Sequence, residues 1–197
     1  MGKSLLMAES MKRRGIVYSF VVAFGAALLL ALSLGLRTPA QASGPPLGVV
    51  TREYEVLTIP EATAYAIYTN NTVIPHQVWY RISGGDALYR QRLRVYKENA
   101  GPRPITQLPP ESELWQELTT NAPGRWMPLP LEAGIFTYYF DGDNRPTTNS
   151  PWRDAFGVRV KRTRFANGNV YQIAFEDQET RDDNNDLRLE VALIQPA

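Results

Sequence analysis

The stretch FGVRVKRTRFANGNVYQIAFE, residues 156–176, decides the fold. Its first half alternates Val158 and Val160 with Arg159 and Lys161. That period of two sends one row of side chains into a core and the other into water. Its second half, Val170 to Glu176, is rich in the β-branched and aromatic residues that suit a half-buried pleated surface. Between them stands Asn167-Gly168, the strongest short hairpin signal in the chain, since both central residues of a type I′ turn need φ > 0. Two strands joined by a tight turn form an antiparallel pair.

The same pattern extends in both directions. Downstream, Leu187 to Val191, running on to Ile194, reads as a closing strand. Upstream, GIFTYYFD (134–141) sets Ile135, Thr137 and Tyr139 on one face and Phe136, Tyr138 and Phe140 on the other. A strand apolar on both faces is a central one, covered on each side. Asp141-Gly142-Asp143-Asn144 reads as the turn that ends it, four residues each favoured in turns. Further strands are expected over Glu53–Ile59, Ala64–Tyr68, Gln77–Ile82 and Leu88–Tyr96. Residues 98–114 are broken by proline and glycine and read as a long loop. Glu111 to Leu118 (ESELWQEL) has the Leu114, Trp115 and Leu118 spacing of a short helical segment. About nine strands, turns every 8–12 residues and no βαβ rhythm predict an all-β fold, an antiparallel β-sandwich or jelly-roll.

The N-terminus belongs to another class. Gly15 to Leu36 carries no charge over 22 residues, Lys12, Arg13 and Arg14 precede it, and Ala40-Gln41-Ala42 follows. A basic segment, an apolar segment and a small-x-small site make a secretory signal peptide, residues 1–42, with Met11 an alternative start. Twenty-two apolar residues also suffice to span a bilayer if the segment is retained as an anchor. Either way the protein is extracytoplasmic: secreted, periplasmic or at the cell surface. Residues 43–48 read as a flexible lead and 49–197 as one domain. Without residues 1–42 the chain has 16 basic and 19 acidic side chains, a net charge of −3. That balance, with no basic stripe, argues against a nucleic-acid partner. There is no cysteine, so stability comes from the core or from a bound ion.

Chemistry concentrates in FEDQETRDDNND, residues 175–186, where six carboxylates and two asparagines crowd between two strands. Like charges this close repel unless a cation sits among them. Calcium takes six to eight oxygens at about 2.3–2.6 Å. Structural zinc would want Cys and His instead. The D-x-D-x-D-G spacing of an EF-hand is missing, and an acidic hairpin loop in water is the plain alternative. Asp141, Asp143 and Asn144 are a second, smaller acidic group that could approach the same ion.

The segment also resembles a C-terminal domain common in exported bacterial proteins, over roughly residues 130–195. That pattern runs F-E-D, a glycine-rich spacer, then D-x-D-aromatic-N-D and an apolar strand. Phe175, Glu176, Asp177, Asp183, Asn185 and Asp186 match it, and Leu187 opens the strand. Arg181 stands where an Asp is expected, Asn184 replaces the aromatic, and the spacer lacks glycine. The resemblance implies a β-sandwich with a calcium site at Glu176, Asp177, Asp183, Asn185 and Asp186.

Catalytic constellations are not in evidence. His76 is the sole histidine, so neither a Ser-His-Asp arrangement with a second base nor a multi-histidine site can be built. Glu111, Glu113 and Glu117 could serve as paired acids, but nothing singles them out. No phosphate loop, nucleophile elbow or dinucleotide fingerprint occurs. The expectation is therefore a non-enzymatic protein. A rival reading uses Trp126 and Trp152, in proline-rich loops, to bind a polysaccharide or a cell-surface protein.

Overall fold

A computed structural model of the chain describes residues 44–60, 62–71, 73–104, 107–120, 122–178 and 186–196. The expected signal segment 1–42 lies outside them, as do Asp183 and Asn185. Two antiparallel sheets face one another across one core, so the fold is a β-sandwich. The first sheet has the order β1 (Val50–Pro60), β9 (Gly157–Phe165), β10 (Gly168–Glu176), β11 (Leu187–Ile194), β3 (His76–Gly84) and β6 (Met127–Glu132). The second has β2 (Ala64–Thr69), β7 (Phe136–Arg145), β4 (Arg90–Glu98) and β5 (Leu114–Leu118), with the two-residue β8 (Arg153–Asp154) beside β7.

The alternation read from the sequence sets the packing. Val158 and Val160 of β9 are buried, while Arg159 and Lys161 face solvent. Tyr171, Ile173 and Phe175 of β10 and Leu187, Leu189 and Val191 of β11 continue that inward face. Opposite stand Phe136, Tyr138 and Phe140 of β7 with Leu93 and Val95 of β4. Burying one phenylalanine or leucine fully is worth roughly 1.5–3 kcal/mol, so this cluster dominates the stability. Strand β7 is covered on both faces, as a central strand must be. A smaller cluster, Trp79, Ala192 and Ile194, sits on the outer side of the first sheet under Leu47 and Trp126.

Four local expectations are corrected. Residues Glu111–Glu113 form a single 3-10 turn and Leu114–Leu118 is strand β5, not helix. Leu114, Gln116 and Leu118 are half-buried while Trp115 and Glu117 are exposed, so period two overrides the helical spacing. Asp141 to Asn144 is no turn but the continuation of β7, paired with Arg94, Leu93, Arg92 and Gln91 of β4. The β9–β10 hairpin is present, yet its two-residue loop is Ala166-Asn167, because Phe165 already pairs with Gly168. Finally, the proline-rich stretch read as a loop around Trp126 is in part a strand, Met127–Glu132 (MPLPLE), despite Pro128 and Pro130. It lies at the sheet edge, where a missing N–H costs no ladder bond.

Asn167 also holds the lead. Its Oδ1 accepts the Gly48 N–H at 2.7 Å and its Nδ2 donates to the Pro46 carbonyl at 2.8 Å.

Candidate metal centre

Strands β10 and β11 bring the acidic loop's two ends together. Phe175 pairs with Leu187 in the last rung of the ladder, so Glu176 and Asp177 on one side face Asp186 on the other. All three are buried, at 5%, 2% and 6% exposure. Each offers a carboxylate oxygen, and the three oxygens lie within 4.8 Å of one another. Ligands at about 2.4 Å from a common ion can be no farther apart than twice that, so the spacing fits a single calcium shell.

Hydrogen bonds position these groups. The Asp177 backbone N–H donates to Asp186 Oδ2 at 2.7 Å, closing the loop neck. Gln91 Nε2, from β4 in the other sheet, donates to Asp177 Oδ2 at 2.9 Å. The Gln178 N–H donates to Glu176 Oε1 at 3.2 Å. The second oxygen of Asp177, Oδ1, is buried with no donor. Among the described residues no lysine or arginine pairs with Asp177 or Asp186. Burial pushes the Asp186 carboxyl up to about 7, and the nearby Glu176 and Asp177 carboxylates add to the rise against the Asp177 N–H. Burial likewise raises Asp177, opposed by the Tyr89 backbone and reinforced by Glu176. Burying an acceptor without a partner costs about 1–3 kcal/mol, more when it is charged. These are strained electrostatics of the kind a cation relieves.

Of the five residues expected to bind metal, three converge and two, Asp183 and Asn185, lie outside the described residues. Sequence reasoning missed Gln91. Its one signal was a polar residue in the inward row of Leu93 and Val95.

The smaller acidic group divides between the two faces of β7. Asp141 and Asp143 meet the β4 arginines: Arg94 Nη2 is 2.7 Å from Asp141 Oδ2, Arg94 Nε 3.0 Å from Asp143 Oδ2, and Arg92 Nε 2.7 Å from the same Asp143 oxygen. Burial still raises Asp141, to about 7, with Asp143 adding to the shift and Arg94 opposing it. Asp141 Oδ1 is buried without a partner, but Arg92 and Arg94 supply this cluster with countercharge and it is a structural network. Asn144 belongs to the inward row.

The other candidates sit elsewhere. Trp152 has the guanidiniums of Arg145 and Arg92 at 4.3 and 4.5 Å from its ring centroid. Trp126 is covered by Arg81 at 4.9 Å and packs on the Trp79 cluster. The exposed tryptophan is Trp115, at 49%. His76 bonds the Ile74 carbonyl through Nδ1 at 2.8 Å. Glu111 and Glu117 engage Arg94 and Arg92 respectively. A groove of about 420 Å³ over the outer face of the first sheet holds one acid, Glu190, already paired with Arg81.

No family model, no curated protein and no solved structure matches this chain.

Proposed function

We propose that this chain is an exported, non-enzymatic β-sandwich domain that holds a structural calcium ion at the neck of its β10–β11 loop. Glu176, Asp177 and Asp186 supply buried carboxylates, and Asp183 and Asn185, outside the described residues, are the further ligands proposed from the sequence. The observation that carries the reading is Asp177 Oδ1, an acceptor buried without a donor beside two further buried carboxylates. Every candidate ligand is a hard oxygen donor, which suits calcium and not zinc. The basic-apolar-small pattern of residues 12–42 supports export. The ion's role is to neutralise the hairpin neck and so hold β10 against β11. The polysaccharide reading draws no support from Trp126 and Trp152, whose rings are met by arginines.

Thermal unfolding in saturating calcium and in EDTA tests the proposal. A ligand at a hundred times its Kd stabilises by about 2.7 kcal/mol. For a domain of this size that raises Tm by roughly 5–10 °C. Superimposable melting curves overturn the calcium assignment.

A further inference from the structure

The last residues of β7 face two ways. Phe136, Tyr138 and Phe140 point into the core, and the same row continues through Gly142 to Asn144. At Gly142 the two sheets approach closely: a Cβ there would stand 2.6 Å from the ring of Phe175 on β10. One step farther along these facing rows lie Asn144 on the second sheet and Asp177 just past β10 on the first. Gln91 makes the closeness explicit. It pairs with Asn144 across β4–β7, where directly opposed Cβ atoms are about 4.5–5.5 Å apart. Its amide reaches Asp177 Oδ2.

Asn144 is 1% exposed. Its Nδ2 donates to the Asp154 carbonyl at 3.3 Å. A carbonyl can only accept, so this bond fixes which end of the amide is nitrogen and leaves Oδ1 pointing elsewhere. Oδ1 is buried and has no partner. Among the described residues three buried side-chain oxygens lack a partner, Asp141 Oδ1, Asn144 Oδ1 and Asp177 Oδ1; the last two lie on these facing rows, are both acceptors and cannot satisfy each other. Buried polar groups are paired in the great majority of cases, and a hard dication satisfies several acceptors at once.

We propose that Asn144 Oδ1 is a ligand of the same divalent cation, so that the ion ties the second sheet to the first as well as β10 to β11. The inference rests on the calcium reading above and extends it from a clamp on one hairpin to a bridge across the sandwich.

The test is calcium titration calorimetry on the full chain and on Asn144→Ala, together with amide hydrogen exchange of the unmutated chain with and without calcium. Asn144→Ala is expected to weaken calcium binding at least tenfold. Calcium is expected to slow exchange at residues 142–145 of β7 as well as along β10 and β11. The exchange measurement needs no variant, so it decides the matter if Asn144→Ala does not fold. An unchanged calcium Kd in Asn144→Ala, or protection confined to β10 and β11, overturns the bridge and leaves the hairpin site standing. If the unmutated chain binds no calcium, the underlying reading falls and the bridge with it.

Discussion

Gly142 shows how much of the site depends on one absent side chain. It sits mid-strand, where glycine is ordinarily unfavourable, because Phe175 occupies the space that a Cβ would fill. Both the Cγ and Cδ1 atoms of that ring would lie 2.6 Å from such a carbon. The ring is fully buried and has no free end to swing aside. Gly142→Ala should therefore destabilise by about 1–3 kcal/mol, the range for overpacked cores. Phe175→Leu in the same background should recover part of that loss, read as a non-additive cycle in urea denaturation. Strictly additive losses would mean that the two residues do not share the space. Local sequence could not disclose this, since Asp-Gly-Asp-Asn is ordinary turn chemistry and the reason for the glycine lies in another sheet. Phe175, by contrast, was legible as an inward residue from the alternation around it.

Strand β7 carries that misreading into an energetic consequence. Asp141 is fully buried and Asp143 nearly so, which a strand tolerates only because β4 places Arg92 and Arg94 in register opposite them. Strands β9, β10 and β11 were readable because their pattern is local, and the first half of β7 because its apolar run is continuous. Strands β5 and β6 were not: the first is too short to separate the two periods, and the second carries prolines that only an edge position permits. The arginine-aspartate ladder was hidden for a similar reason, since it depends on which strand lies next to β7. Removing one partner exposes its worth. Arg94→Ala leaves Asp141 buried without its guanidinium and should cost about 3–5 kcal/mol, whereas replacing both partners of a buried pair is far milder. Arg94→Met combined with Asp141→Asn should thus regain most of the loss, with Asp143 retained by Arg92. Equal denaturation midpoints for the single and double variants would contradict this account.

Across the whole molecule, polar contacts cross the core at several points around the apolar centre: Tyr80 with Gln116, Tyr138 with Glu132, and Gln91 with Asp177. The first two join neutral or singly charged partners. The third opens onto three carboxylates, and this imbalance sets how the protein responds to pH. Asp186, Asp177 and Asp141 are all pushed above the ordinary carboxylate range, Asp186 and Asp141 to about 7. A folded-state pKa above the unfolded value of about 3.9 means that the native state binds more protons between those two values. Stability therefore falls as pH rises through that window, from about 4 to about 7, and the penalty is complete above it. In EDTA, Tm should decline from pH 5 to pH 8. Asp186→Asn removes one of the proton-binding groups and should flatten that decline. Calcium requires the ionised carboxylates, so protons compete with it, and the Tm gain on adding calcium should grow over the same interval. Melting curves at four pH values, each with calcium and with EDTA, read both slopes at once. A Tm in EDTA that climbs from pH 5 to pH 8 would show that these carboxylates are comfortable as anions, which removes the physical reason for a cation at the hairpin neck.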